Sequence, residues 1–358
     1  MPSKLRSCCR RRCSASSRRS TSLVRKRPSP LLLRAHPSSL PAPMVRYSKL
    51  PFRYLVSLYD VHITHTPMIL AKEFSRSSAA RAGDFSTSLS ERGTFLLSDH
   101  SSSPSRDTSG KHHRLIRGAL IAQFAASSPQ HMADATELIS PYVDGVDLNC
   151  GCPQSWAYAE HVGSWLLRNP QVVRDIIRAT KDRVGWSFPV SVKIRIDDQL
   201  GRTEQLVQTA IHAGADYITV HGRTRHQAST QPVNLPGIRF AVEAARREVP
   251  VVANGDAWSA EEVAKIRKET GVKGVMSARG LLANPALFSG YASTPPAAVT
   301  RFVQIAGDYG GLPFALFHRH VAYMLEEGFG KAEKAYFNAL TSHAGVLDYL
   351  ESRGLDLR

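Results

Sequence analysis

Short apolar runs, several of them β-branched, recur along the chain from residue 41 onward. They are Pro43-Met44-Val45, His62-Ile63-Thr64-His65-Thr66, Leu120-Ile121-Ala122-Gln123-Phe124 and Val146-Asp147-Leu148-Asn149. Val190-Ser191-Val192-Lys193-Ile194, Tyr217-Ile218-Thr219-Val220-His221, Val251-Val252-Ala253-Asn254 and Gly274-Val275-Met276-Ser277-Ala278 follow. Near-continuous apolar runs of this length suit parallel strands covered on both faces. The stretches between the later runs read as amphipathic helices. Pro170 to Lys181 carries Val172, Val173, Ile176 and Ile177 on one face, and Thr203 to Ala213 carries Leu206, Val207, Ala210 and Ile211. Ser259 to Glu269 opens on Ser259-Ala260-Glu261-Glu262, the spacing of a capping box. Alternating strands and helices predict an α/β fold. Eight such units in about 240 residues predict a (β/α)8 TIM barrel.

The periodicity changes in three places. Residues 1–40 are rich in Arg, Ser and Pro and lack apolar repeats, so a disordered basic tail is expected. Residues 92–117 carry Ser101-Ser102-Ser103, Pro104 and His112-His113 and read as an insertion without pattern, disordered or retained from non-coding sequence. The barrel is expected over 41–291. After Tyr291 the strands stop, and 297–352 reads as a small C-terminal helical domain, with helices over Val299–Ala306, Phe314–Glu327 and Lys331–Ser352.

Charge adds less than its total suggests. The formal net charge is +16, but residues 1–36 hold eleven Lys and Arg and no acid, which leaves about +5 for the rest. The folded body is mildly basic, compatible with a polyanionic partner without demanding one. The C-terminal segment has no excess of basic residues. Cys8, Cys9 and Cys13 lie in the tail and Cys150 and Cys152 in the body, which is no disulfide framework. A reducing compartment, cytoplasmic or nuclear, is expected; the Arg- and Ser-rich start also resembles a mitochondrial transit peptide. No apolar run approaches the ~18–20 residues that span a bilayer, so a soluble protein is expected.

Catalytic groups of such barrels sit at the C-terminal ends of the strands. The polar residues there are Gln123, Asn149, Lys193, His221 and Asn254, with Cys152 and Arg279 just beyond two strand ends. Each alone could satisfy local backbone. Seven converging on one rim imply a polar ligand, because buried polar groups are costly unless paired. The loops after strands seven and eight, Asn254-Gly255-Asp256 and Ala278-Arg279-Gly280, offer small residues and a guanidinium where barrels often hold phosphate. With a lysine midway round the rim, this suits flavin mononucleotide. Cys150 reads as a packing residue, since Cys-x-Cys lacks the spacing of a zinc site; no metal is expected. His65, His131 and His161 read as surface or locally bonded, and Tyr323 and Phe337 as core.

Asn149-x-Gly151-Cys152-Pro153, followed by Gly163 and Leu166-Leu167, resembles the signature of the tRNA-dihydrouridine synthases. Ala42-Pro43-Met44-Val45-Arg46-Tyr47, Thr66-Pro67-Met68-Ile69, Gln123-Phe124-Ala125-Ala126, Val192-Lys193-Ile194-Arg195, His221-Gly222-Arg223-Thr224 and Asn254-Gly255-Asp256 extend the resemblance in order over about 41–352. Asn149 to Gln154 and Gly280-Leu281-Leu282-Ala283-Asn284-Pro285 resemble the eukaryotic subfamily that modifies D-loop positions 20a and 20b.

The resemblance implies FMN as cofactor, NADPH or NADH as reductant, tRNA as partner and Cys152 as general acid. It implies that Pro43, Met44 and Val45 line the flavin through backbone and that Gln123 and Lys193 bond its ring edge. His221, Asn254, Gly255, Asp256, Ala278 and Arg279 would hold the ribityl phosphate. Asn149 and Arg195 would face the uracil or its nucleotide, and Arg223 the RNA, although a solvated loop accounts for Arg223 and Arg225 equally well. The helical tail would dock tRNA, and a monomer is expected. Trp165 stands where the family has a small residue, and the 92–117 insertion precedes the strand bearing Gln123. Two other readings stay open: a flavin barrel reducing a free pyrimidine, and a tRNA-binding protein without chemistry.

Overall fold

A computed structural model describes residues 38–98 and 113–357. The tail expected over 1–40 lies outside them up to residue 37, as does the centre of the expected insertion.

The strands are β1 (Ser38–Pro41), β2 (Ile63–His65), β3 (Ile69–Leu70), β4 (Thr94–Ser98), β5 (His113–Arg117), β6 (Ala119–Ala125), β7 (Gly145–Cys150), β8 (Val190–Arg195), β9 (Tyr217–His221), β10 (Val251–Asn254) and β11 (Gly274–Ser277). Eight of them pair in parallel in the order β1-β11-β10-β9-β8-β7-β6-β2. The two ends of this path meet where the His62 N–H donates to the Ser39 carbonyl at 3.1 Å, so the barrel is nearly closed. The short β3 continues the β2 side, pairing Ile69 with Phe124.

The apolar runs resolve into two alternating faces. Leu120, Ala122, Phe124, Val146, Leu148, Val192, Ile194, Ile218, Val220, Ala253 and Val275 join the core between sheet and helices. The intervening residues point into the barrel. At its floor, Leu40, Ile63, Ala119, Ile121, Tyr217, Val252 and Met276 form a separate apolar plug. Above the plug the inward positions are polar: Gln123, Asp147, Asn149, Ser191, Lys193, Thr219, His221 and Asn254. Cys150 falls on the outward face and is buried in the core, as expected for a packing residue.

The barrel helices are α1 (Leu50–Ser57), α2 (Ala71–Arg76), α3 (Ser78–Asp84), α4 (Pro129–Ile139), α5 (Ser155–Ala159), α6 (Pro170–Val184), α7 (Leu200–Ala213), α8 (Leu235–Ala244), α9 (Ala260–Thr270) and α10 (Arg279–Ala283). Their apolar stripes face the outward side chains of the strands. At α9, Ser259 accepts from the Glu262 N–H, but the Glu262 carboxylate takes the N–H of Trp258 rather than that of Ser259. Only half of the expected capping box forms.

The first strand is Ser38–Pro41, not Pro43–Val45. Its partner decides this: Ser38 to Pro41 register against Gly274 to Ser277. The strand therefore begins inside the stretch expected as tail, and Pro43, Met44 and Val45 lie in the loop above it. The insertion's flanks are also ordered: β4 and β5 pair antiparallel, Thr94 with Arg117.

Four helices follow the barrel: α11 (Pro296–Tyr309), α12 (Phe314–Leu325), α13 (Lys331–Asn338) and α14 (His343–Ser352). The helix expected over 331–352 is two, because Ser342 caps α14 by accepting from the Gly345 N–H. These helices share a core of Val299, Phe302, Phe317, Val321, Phe337 and Leu350 with Leu55 of α1. His320 of α12 is buried at this joint, stacked on Phe52 at 4.9 Å and near the edge of Tyr47 at 5.4 Å. Burial pushes its pKa down to about 4, so the joint carries a neutral ring at physiological pH.

Candidate active site

The inward polar residues lead up to the C-terminal rim, and the rim divides into two halves. The first half is built around Cys152. Strand β7 ends at Cys150, and the loop that follows must turn sharply over the barrel mouth. Asn149 makes that turn: its Oδ1 accepts the backbone N–H groups of Gly151 at 3.0 Å and Cys152 at 2.9 Å. On the far side of the loop, the Ser164 N–H donates to the Cys152 carbonyl at 2.9 Å. Gly163 is required for this approach. Its φ is +62°, and a Cβ there would stand 2.8 Å from the Cys152 Cβ. The thiol side packs against Met68, Ala125, Ala157 and Val162. Trp165 stacks on His161 at 4.6 Å and packs against the barrel core.

Beneath the loop the polar groups are paired with one another. Asn149 Nδ2 donates to Gln123 Oε1 at 2.8 Å, and Gln123 Nε2 donates to Asp147 Oδ2 at 2.7 Å. Ser191 Oγ donates to Asp147 Oδ1 at 2.6 Å. Burial raises the Asp147 pKa to about 6 against the lowering effect of these donors. Burial, and then Asp147, push the Cys150 thiol well above its usual value. Lower down, His65 Nε2 lies 3.3 Å from the Tyr217 hydroxyl. His65, expected at the surface or locally bonded, is thus inside the barrel and bonded there, and burial lowers its pKa to about 3. The reason is the inward parity of its strand position.

Lys193 rises between the two halves. It is partly buried, and no acceptor among the described residues takes a hydrogen bond from its ammonium. Burial, then neighbouring Arg195, lower its pKa to about 8, against opposing pulls from Asp147 and Cys152. Arg195 spans the halves: its Nε donates to the Gly151 carbonyl at 2.8 Å and its Nη1 to the Thr224 carbonyl at 2.9 Å. Asn149 and Arg195 therefore hold the cysteine loop from below and from the side. Neither sequence position nor residue type announced that task.

The second half is charged. Here a cavity of about 190 Å³ is lined by His221, Asn254, Gly255, Asp256, Ala278, Arg279 and their neighbours. Arg223 donates to Asp256 Oδ2 and to the Gln231 carbonyl, and Arg279 donates to Asp256 Oδ1 at 3.0 Å. Arg279 also lies over the Trp258 ring at 5.0 Å. Asp256 thus pairs with two guanidinium groups and stands as their counter-ion. Arg223 Nη1 approaches His221 Nε2 at 3.3 Å. A guanidinium can only donate, so Nε2 is the acceptor and the ring proton is on Nδ1. Burial and the surrounding Lys193, Arg195, Arg223 and Arg279 drive the His221 pKa to about 2, so the ring is neutral. Asn254 spends Nδ2 on the Met276 carbonyl at 3.0 Å, tying β10 to β11. Gly255 has φ +149°, and a Cβ there would meet Val233 at 2.6 Å. No side chain caps α10, whose first residues, Arg279 and Gly280, line the cavity.

The loop after β1 completes the rim. Ser48 Oγ accepts from the Met44 N–H at 2.9 Å and donates to the Ala42 carbonyl at 3.1 Å, closing the turn that carries Pro43, Met44 and Val45. Arg225 is no free solvated side chain: it sits 3.5 Å over the Tyr158 ring, beside the cysteine loop's helix α5. Sequence reasoning missed Asp147, Ser191 and Tyr217, which look like lapses in apolar strands. The signal that finds them is the period-2 alternation they share with Gln123 and Asn149.

A family model, Dihydrouridine synthase (Dus), matches residues 40–352. A mouse protein named tRNA-dihydrouridine(20a/20b) synthase [NAD(P)+]-like is 43% identical over 310 residues, 86% of each chain. The human protein of that name is 41% identical, covering 86% of this chain and 88% of its own. The tRNA-dihydrouridine(20a/20b) synthase [NAD(P)+] of Schizosaccharomyces pombe is 43% identical over 315 residues, covering 88% and 87%. With a cysteine loop held over a nearly closed parallel barrel and a match across almost all of the described residues, the chain belongs to the dihydrouridine synthase family.

Proposed function

We propose that this chain is an FMN-dependent tRNA-dihydrouridine synthase. It reduces the C5–C6 double bond of uridine in the tRNA D-loop, at positions 20a and 20b, with NADPH or NADH as reductant. The observation that carries this reading is the Cys152 thiol, held at the barrel rim by Asn149 in a member of the dihydrouridine synthase family.

The residues present fit the cofactor. The cavity at the ends of β10 and β11 has uncapped N–H groups, the Arg279 guanidinium and a neutral His221 with a free Nδ1 proton, a donor set suited to a phosphate. Lys193, with no hydrogen-bond acceptor among the described residues, suits the electron-rich pyrimidine edge of the flavin ring. Pro43, Met44 and Val45 border the same mouth. Bound here and reduced, FMN would supply a hydride for C6 of uracil.

The chain's own residues do the rest. The target uridine must leave its stack to reach a site recessed in a barrel mouth. Cys152 then gives its Sγ proton to C5 as the negative charge of the enolate develops, which is general-acid work. Asn149 and Arg195 fix where that thiol stands. Arg195 and Arg225, which pair with no acid among the described residues, give the mouth a positive field that draws the RNA backbone. The four C-terminal helices extend this rim and offer the surface that a large substrate needs and a free pyrimidine does not.

Position-resolved mapping of dihydrouridine in tRNA from cells with and without the protein tests the reading. We expect loss at 20a and 20b on deletion and its return with the intact chain. Unchanged dihydrouridine at every position overturns the assignment.

A further inference from the structure

The hydrogen bonds under the cysteine loop have a direction. We propose that Asp147 is a positioning residue that sets the polarity of an Asp147–Gln123–Asn149 relay and thereby holds the Cys152 loop in its reactive arrangement.

A carboxylate oxygen that faces an amide must accept. Asp147 Oδ2 accepts from Gln123 Nε2 at 2.7 Å, which turns the Gln123 carbonyl the other way. That carbonyl accepts from Asn149 Nδ2 at 2.8 Å, which turns Asn149 Oδ1 toward the loop. There it accepts two backbone N–H groups, those of Gly151 and Cys152. If Asn149 were reversed, its NH₂ group would face two backbone N–H donors and the loop would lose its anchor; if Gln123 were reversed, its NH₂ would face that of Asn149. The shape of the two amides fits both orientations; Asp147 chooses between them. All three side chains are buried, Asp147 at 1%, Gln123 at 0% and Asn149 at 9% exposure, so water is a poor substitute for any link.

The relay needs an acceptor at Oδ2, not a charge. The other oxygen, Oδ1, faces the Ser191 hydroxyl, which can accept as well as donate. A proton gained by Asp147 therefore settles on Oδ1, the Ser191 hydroxyl turns to receive it, and Oδ2 goes on accepting from Gln123. Of the other groups around the carboxylate, Lys193 and Cys150 act electrostatically, and Tyr217 hydrogen-bonds Ser191 rather than Oδ2.

This rests on the proposed function for its turnover readout but not for its second one. Turnover is followed on unmodified tRNA. In parallel, mass spectrometry follows the iodoacetamide alkylation rate of the Cys152-bearing peptide in the flavin-loaded protein. Asp147→Leu removes the acceptor; kcat should fall on the order of 100-fold, as for a misplaced reacting group, with KM for tRNA little changed and the alkylation rate altered. Asp147→Asn can present its carbonyl to Gln123 and its NH₂ to Ser191, and should recover most of what Asp147→Leu loses. In Asp147→Asn/Ser191→Ala that NH₂ has no acceptor and turns to Gln123, reversing the relay. The double variant should fall well below the product of the two single effects.

Asp147→Asn as poor as Asp147→Leu, or an additive double variant, overturns the proposal. If Asp147→Leu does not fold, the Asn and double variants carry the test. If the wild-type protein makes no dihydrouridine, the functional reading fails, while the alkylation pattern still decides the relay.

Discussion

The two halves of the rim hold their functional groups by opposite means. The cysteine half uses neutral amides in a fully paired chain that ends on one buried carboxylate. The cavity half uses full charges, with Asp256 shared between Arg223 and Arg279. Amide chains have direction and little reach, so they suit a group whose position must not vary. Charge clusters are non-directional and can exchange partners, so they suit a site that must take up an anion. The barrel thus places a rigidly held cysteine loop beside a charged cavity, with Lys193 between.

The largest effect should come from the rigid half. Cys152→Ala should lower turnover by about 10²–10⁴-fold, the usual contribution of a positioned general acid, and leave flavin content unchanged. Full activity would remove Cys152 as proton donor; loss of flavin would show that the halves are not independent. The cavity half should respond in binding. Arg279→Ala removes one charge-assisted donor, worth roughly 1.5–3 kcal/mol, so the flavin should dissociate about tenfold more readily or worse, measured by fluorescence on dilution. An unchanged affinity would mean that Asp256 keeps Arg279 away from the phosphate.

The smallest effect tests the residue between the halves. The ammonium of Lys193 exists below its lowered pKa of about 8. Any turnover that depends on its charge should decline as pH rises through 8, and Lys193→Met should lack that limb. The stability effect has the opposite sign. The folded value lies below the ordinary 10.5, so the charged ammonium costs stability below pH 8, and the cost fades between 8 and 10.5. Urea titrations of the apo-protein should find Lys193→Met more stable than wild type at pH 7, with the gap narrowing at high pH.

Much of this was legible in sequence because parallel barrels put chemistry at strand ends. Gln123, Asn149, Lys193, His221 and Asn254 could be picked out as polar residues closing apolar runs, and the structure brings them to one rim. Their pairings could not. Asp147 meets Gln123 across adjacent strands, and Arg223 meets Asp256 from a loop 33 residues away, so both depend on register. The first strand was misplaced because Ser38 and Ser39 look like tail. Their strand conformation comes from pairing with β11 and not from local propensity. The single helix expected over 331–352 failed on a local feature, the Ser342 cap, inside a continuous apolar pattern.

The alternation of the barrel strands also divides the protein's tolerance to change. From β6 to β9, odd-numbered positions carry the plug and the polar groups above it, while even-numbered ones meet the helices. Variation confined to even positions should trade packing for stability and leave the reaction alone. Variation at odd positions should alter chemistry, sometimes without moving the melting temperature. A deletion or insertion of one residue within a strand would exchange the two sets, pressing Asp147 and Asn149 into an apolar layer. The barrel can thus absorb many side-chain substitutions but very few changes in strand length, and its repertoire of workable variants is set by parity before it is set by residue type.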